Sequence, residues 1–274
     1  MVYSAIFGFN PSKGARSPII WNQLYKGLGI EGRMIAVDCE TEEDFKKKFT
    51  KLSSEEDFQG GAIAAPYKEL ACQLASPSNI VFRDIGAVNC IYRGKDNYLN
   101  STNTDAVAAI NEISKLINLK LDINVLFMGF GGTGKAVASL LRDKLTVKSS
   151  IKITCRSPPN HILLNKDNVI YIPWKKRSDF IESSDLIVNC TSMGDLNNLN
   201  LNPFEASWYK KIKDKTAVYD VIYNPKETLF LKGLAKNVNS LNGEGMNKSQ
   251  ALIAFQYCNQ EFSMNQINSI SLEL

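Results

Sequence analysis

At 274 residues, with 44% hydrophobic and 22% charged side chains, the chain has the composition of an ordinary globular protein with enough length for one large core or two modest ones. The formal charge of +4 is slight, and the lysine clusters at 46–48, 175–177 and 210–211 are short and separated, so no nucleic-acid partner is expected. No apolar run approaches the roughly 18 residues of a membrane span, and Met1-Val2-Tyr3-Ser4 lacks the basic start of a secretory signal. The six cysteines are scattered without a C-x-x-C pair, which suits reduced core thiols in a cytoplasmic protein. His161 is the one histidine, so neither a zinc site nor a Ser-His-Asp triad is well supplied and no metal is expected.

In chain order, strand-like segments at Tyr3 to Gly8, Met34 to Val37, Ala62 to Ala65 and Ala87 to Tyr92 alternate with helix-like Pro18 to Leu28 and Glu42 to Leu52. The alternation predicts βαβ units and a mainly parallel sheet. Thr104 to Ile117 carries apolar residues at 107, 110, 113, 116 and 117, the spacing of one helical face. Next, Val125-Leu126-Phe127-Met128 runs into Gly129-Phe130-Gly131-Gly132-Thr133-Gly134 and leaves as an amphipathic helix. Glycines at 129, 131 and 132 let the turn close and let backbone N–H groups approach a pyrophosphate at a helix N-terminus. The third glycine of the G-x-G-x-x-G pattern reads as displaced to Ala136, and a glycine turn between strand and helix also serves purely structural ends.

Strand-like Ile151 to Cys155, Val169 to Ile172, Asp185 to Cys190 and Ala217 to Ile222 follow, with helical stretches between them, as a second α/β unit. The last helix, Asn247 to Cys258, is expected to pack back on the first domain, with the polar tail from Asn259 loose.

Polar residues stand where the pattern is otherwise apolar: Asn22, Lys68, Asn89, Asn103 with Asp105, Asn189 with Thr191, Tyr223 and Gln250. Around them lie eight short segments: Ser17-Pro18 followed by Asn22, Pro66-Tyr67-Lys68-Glu69, Gly86-Ala87-Val88-Asn89, Asn103-Thr104-Asp105, Gly129-Phe130-Gly131-Gly132, Asn189-Cys190-Thr191-Ser192-Met193-Gly194, Asp220 to Pro225, and Gly243-Glu244-Gly245-Met246 followed by Gln250. In these segments, taken in order over nearly its full length, the chain resembles the shikimate dehydrogenase family.

The resemblance implies an α/β fold of two domains with a cleft between them: a substrate-binding and catalytic domain of residues 1–103 and 243–274, and a Rossmann-type NADP-binding domain of residues 104–242. It implies an NADP-dependent oxidoreductase of aromatic amino acid biosynthesis that interconverts shikimate, or a close hydroxy-cyclohexene or cyclohexane carboxylate such as quinate, with its 3-dehydro form by direct hydride transfer. Lys68 and Asp105 match the polar pair at the reacting carbon. A lysine desolvated beside a carboxylate exchanges a proton near neutral pH. Asn89 and Gln250 match residues that reach the ring, Ser17 lies at the carboxylate end, and Tyr223 and Gly243 correspond to positions near the nicotinamide and the cleft wall. The cofactor set is Gly129, Gly131, Gly132, Thr133, Gly134, Arg156, Ser157, Thr191, Met193 and Gly243. By residue type alone, Lys68 also reads as a surface lysine, Asp105 as a first-turn helix carboxylate, Asn89 as a strand-end bracket, Gln250 as a solvated helix residue and Tyr223 as core.

Cofactor choice rests on Ile153-Thr154-Cys155-Arg156-Ser157, where an acid would bind the ribose 2′-OH of NAD and an arginine pairs with the 2′-phosphate of NADP. Two departures concern the substrate's carboxylate end. Ala15 stands in place of the first serine of the family's Ser-x-Ser-Pro, and Ala64 in place of the threonine before Pro-x-Lys; Arg16 offers a compensating charge. The pattern resembles a divergent subgroup that keeps the chemistry with another substrate. A catalytically idle NADP-binding regulatory module is the alternative, against which the retained Lys68 and Asp105 weigh; a methylene-tetrahydrofolate dehydrogenase would need a folate-stacking site that the sequence does not offer. The partner is a small molecule and the chain a monomer or homodimer; direction of flux is open.

Overall fold

The computed structural model describes residues 2–77 and 84–273. The chain divides into two compact units, Met1–Thr104 with Lys248–Leu274, and Asp105–Asn247.

The first unit holds β1 (Val2–Gly8), α1 (Ser17–Gly27), β2 (Gly32–Asp38), α2 (Glu42–Ser53), β3 (Phe58–Ile63), α3 (Lys68–Leu74), β4 (Ser76–Pro77), β5 (Cys90–Arg93) and β6 (Leu99–Thr102). Pro18 opens α1, where its missing N–H costs nothing. Thr41 caps α2 by accepting from the Asp44 N–H, with three acids in the first turn. The sheet order is β2-β1-β3-β5-β6-β4. Most of it is parallel: β1 pairs with β2 and β3, and β4 with β6, in parallel, while β5 runs antiparallel to both β3 and β6. The expected mainly parallel sheet is present with one reversed strand, β5, whose hairpin partner Leu99 to Thr102 is too short and polar to read as a strand.

Strand alternation sends neighbouring β1 residues to opposite faces. Ile6 joins a cluster with Trp21, Leu24, Tyr25 and Phe255, while Ala5 and Phe7 join Phe45, Phe49, Phe58 and Tyr67. Ala251, Leu252, Ala254, Phe255 and Cys258 of the long helix Glu244–Cys258 belong to the first of these clusters, and Trp21 Nε1 donates to Ala251 O at 2.9 Å. The tail is not loose. A capping box at Ser263 and Gln266 starts the helix Met264–Asn268, whose Ile267 is fully buried.

The second unit runs α4 (Thr104–Leu116), β7 (Asn124–Met128), α5 (Gly132–Lys144), β8 (Ser150–Cys155), β9 (Val169–Pro173), β10 (Leu186–Asn189), β11 (Ala217–Asp220), α6 (Leu229–Lys232), β12 (Ser240–Leu241) and the start of α7 (Glu244–Cys258), which α8 (Met264–Asn268) follows in the first unit. Its sheet is wholly parallel with order β12-β11-β10-β7-β8-β9. Counted within the unit this is 6-5-4-1-2-3, the doubly wound dinucleotide-binding order, whose direction reverses between β7 and β10. Val125 and Phe127 face one core cluster, Leu126 and Met128 the other. Between β8 and β11 the expected helices are short 3-10 segments, at Ile162–Asn165, Trp174–Asp179 and Ala206–Lys211. Pro158, Pro159 and the asparagine-rich run 197–202 favour turns over continued helix.

Candidate active site

At the reversal point β7 and β10 lie side by side, with Met128 opposite Asn189, so the chain leaving each strand enters the same crevice. Gly129 turns there at φ +90°, and a Cβ on it would stand 2.6 Å from the Cys190 carbonyl. Gly134 lies one helical turn on, where a Cβ would meet the Gly129 carbonyl oxygen at 2.4 Å. Gly129, Gly131 and Gly134 therefore hold the three positions of the G-x-G-x-x-G pattern, which corrects the reading that displaced the last to Ala136. Ala136 is buried core on α5. Gly131 is the N-cap of α5 and has no side chain to cap it; the first intrahelical bond runs from Lys135 N to Gly131 O. The N–H groups ahead of that bond point out of the helix end, a geometry suited to an anion.

A pocket of about 870 Å³ opens beside this turn, a size usual for cofactor sites. Gly129, Gly131, Arg156, Ser157, Thr191 and Met193 line it together. Arg156 and Ser157 are exposed at the end of β8, and no carboxylate lies among the described lining residues. Thr191 is fixed through its N–H and Oγ1, both donating to Asn189 Oδ1, while its Oγ1 accepts from the Met193 N–H. Gly132, Thr133 and Gly134 stand at the start of α5 rather than in the pocket wall, and Tyr223 and Gly243 lie outside it. Gly243 is buried and donates its N–H to Ile222 O. Burial pushes the Cys155 and Cys190 thiols up, with Asp220 and Asp105 adding to the effect at Cys190, so both lining sulfurs are neutral.

Beneath the pocket Asp220 is fully buried. Its Oδ1 accepts from Asn189 Nδ2 and the Ile222 N–H, and its Oδ2 from Thr228 Oγ1 at 2.7 Å. Burial outweighs these three donors and raises its pKa to about 6.

In the first unit Asn89 is 4% exposed at the entrance to β5. Its Oδ1 accepts from the Thr104 N–H at 2.6 Å, and its Nδ2 donates to Thr104 Oγ1 and, at 3.3 Å, to Gln250 Oε1. Thr104 Oγ1 in turn reaches Gln250 O. The structure thus brings Asn89 and Gln250 together, with Asn89 also serving as a bracket for the start of α4. Lys68 is the first residue of α3, half-buried, and its carbonyl accepts from the Val88 N–H, next to Asn89 in sequence. Asp105, 6% exposed, occupies the first turn of α4 and belongs to the second unit.

Ser17 is buried in the first turn of α1 and Arg16 is its half-buried N-cap residue. Ala15 and Ala64 both pack half-buried on the Trp21 and Phe255 cluster. Asn22 leaves the site group altogether: its carboxamide pairs with the N–H and C=O of Met34 on edge strand β2. Among the described residues no cluster of three or more metal-ligating side chains occurs, and no helix is long and apolar enough to cross a membrane.

Sequence reasoning missed Lys135, Trp174, Asn198 and Leu201, all in the pocket wall. Lys135 follows the last fingerprint glycine directly and was findable from that; the other three come from turns whose course only the fold reveals.

The sequence signature described as the shikimate dehydrogenase substrate binding domain matches residues 6–91. Over 264 residues the chain is 30% identical to the shikimate dehydrogenase (NADP(+)) of Prochlorococcus marinus strain MIT 9301, covering 93% of this chain and 91% of that one. The crystal structure of shikimate dehydrogenase from Aquifex aeolicus superposes with a TM-score of 0.83 at 25% identity, over 98% of this chain and 96% of that one. Quinate dehydrogenase from Corynebacterium glutamicum, solved in complex with NAD, shares the fold at a TM-score of 0.82 and 22% identity, over 100% of this chain and 99% of that one. The chain belongs to the shikimate dehydrogenase family.

Proposed function

We propose that this chain is an NADP-dependent dehydrogenase interconverting shikimate, or a close ring carboxylate, and its 3-dehydro form, as a step of aromatic amino acid biosynthesis. The observation that carries the reading is that a member of this family keeps both Lys68, at the start of α3, and Asp105, buried in the first turn of α4. Bound NADP supplies the hydride acceptor. Lys68 Nζ takes the proton of the reacting ring hydroxyl as oxidation proceeds, with Asp105 as the carboxylate that the family likeness assigns to the same proton transfer. Asn89 and Gln250 orient the ring: their carboxamides already meet each other, so each is held in place before substrate arrives.

The nucleotide-binding residues fit NADP. The uncapped end of α5 receives the pyrophosphate, and Arg156, at a rim without acids, takes the 2′-phosphate. A buried anchor such as Gly243 shapes the turn after β11 that carries Tyr223. Residues 1–103 with 243–274 act as the substrate domain and 104–242 as the nucleotide domain of a cytoplasmic enzyme, monomeric or homodimeric, working on a small molecule.

The test is NADP reduction, followed by the absorbance of the reduced nicotinamide, against shikimate, quinate and related hydroxy-cyclohexene acids. Turnover with at least one of them and NADP is expected. NADP binding with no turnover on any ring alcohol would favour the idle regulatory module.

A further inference from the structure

One wall of the nucleotide pocket is aromatic. Trp174 lines it, half-buried, at the end of β9. The Arg177 guanidinium lies 4.0 Å from the Trp174 ring and 4.6 Å from that of Trp208. Arg177 is buried, its Nε donating to Pro203 O and its Nη1 to Trp174 O. A cation between two indoles, tied to two carbonyls, restrains the Trp174 ring, and Arg177 itself is not among the residues that line the pocket. The rest of the pocket divides by chemistry. Gly129, Gly131, Lys135 and Arg156 present backbone donors and cations, whereas Pro158, Pro159, Leu201 and Trp174 present apolar surface. The first group suits phosphates; the second suits a flat, weakly polar ring.

Resting on the NADP reading above, we propose that Trp174 is the platform on which the adenine ring of the cofactor stacks, with Arg177 as the residue that positions it. The base is sequence-tolerant in its stacking but gains roughly tenfold or more in affinity from an aromatic face. Because adenine is common to both nicotinamide cofactors, Trp174 contributes affinity without contributing to the choice between them, whereas Arg156 contributes the choice.

The experiment is calorimetric titration of the intact protein with 2′,5′-ADP, NADP and NAD, alongside its tryptophan fluorescence, which has three sources, Trp21, Trp174 and Trp208. Trp174→Ala is expected to weaken all three ligands by a similar factor of roughly 10, and Trp174→Phe to restore most of it. Ligand-induced quenching of the wild type should be absent in Trp174→Phe, which keeps a ring in the wall and so keeps the fold if the alanine variant does not. Unchanged affinity in a folded Trp174→Ala, or quenching that persists in Trp174→Phe, overturns the stack. A wild type that binds NAD as well as NADP, with Trp174-dependent quenching by both, overturns the 2′-phosphate reading while leaving the stack standing.

Discussion

Each unit has a buried polar knot behind its binding residues, and the two knots are made of different chemistry. In the first, Asn89, Thr104 and Gln250 join three distant segments through carboxamides and a hydroxyl, none of which ionises near neutral pH. In the second, Asn189, Thr228 and the Ile222 N–H converge on a carboxylate, Asp220. On the proposed function the first knot offers its own side chains to the ring, which makes ligand recognition there a property of side-chain identity. The second braces the turns that follow β10 and β11, through Thr191 and the Ile222 N–H, and so fixes the path of the chain beside the pocket. Substitution should therefore act on substrate preference at the first knot, and on the pH response of stability at the second.

The largest break should come at the side-chain end. Lys68→Ala is expected to lower kcat by ~100-fold or more with NADP affinity nearly unchanged, the usual range for losing a proton-transfer group. Asp105→Asn should behave alike, and stopped-flow turnover near the wild-type rate in both variants would remove the pair from the mechanism.

Second comes the response of Asp220 to pH. Its folded pKa of about 6 lies above the unfolded value, so the native state holds a proton that the unfolded chain has released between roughly pH 4 and 6. This group's contribution is fully present below about pH 4 and is lost as pH rises through 6, on the order of 3 kcal/mol in total. In Asp220→Asn the amide oxygen keeps two donors and the NH₂ meets Thr228, but nothing titrates. Urea unfolding at pH 4 and pH 7 should show the wild type gaining relative to that variant in acid; a constant difference breaks the contrast between the knots.

Third, Ala15 and Ala64 present methyl groups where the resemblance implies hydroxyls. Two absent bonds to a charged group predict a KM for shikimate raised on the order of 100-fold, and Ala15→Ser with Ala64→Thr should lower it with kcat less affected, since the carboxylate is remote from the reacting carbon. Tight shikimate binding by the wild type that Arg16→Ala abolishes would show instead that the arginine has replaced the hydroxyls. The smallest effect is expected from Arg156→Ala: NADP affinity falling roughly tenfold by calorimetry with NAD almost untouched, because an exposed cation pairs only with the 2′-phosphate. Equal losses for both cofactors would undo that assignment.

The same contrast explains what the sequence disclosed. The nucleotide unit was legible because β7 is a buried apolar strand and the glycines after it answer to backbone geometry, which residue type encodes directly. Even so, the last glycine was misplaced, since only the approach of Gly134 to the Gly129 carbonyl shows which position needs to lack a side chain. In the substrate unit, Asn22 and Asn89 looked equivalent as isolated polar residues; one brackets edge strand β2 and the other joins Gln250 across 161 residues of sequence. Spacing carries no information about such a pairing. Leu99 to Thr102 escaped notice as a strand because it is four residues long and its pairing is supplied by β5 rather than by its own apolar pattern.

The segment after Lys248 supplies Trp21 with its hydrogen-bond acceptor and its aromatic neighbour Phe255, and supplies Asn89 with Gln250. During synthesis, then, the unit that emerges first is the one finished last. Residues 105–247 precede the segment from which Ala251, Phe255 and Ile267 cover one apolar face of the sheet begun at β1. The core of the first unit is therefore complete only once residues 248–267 are in place.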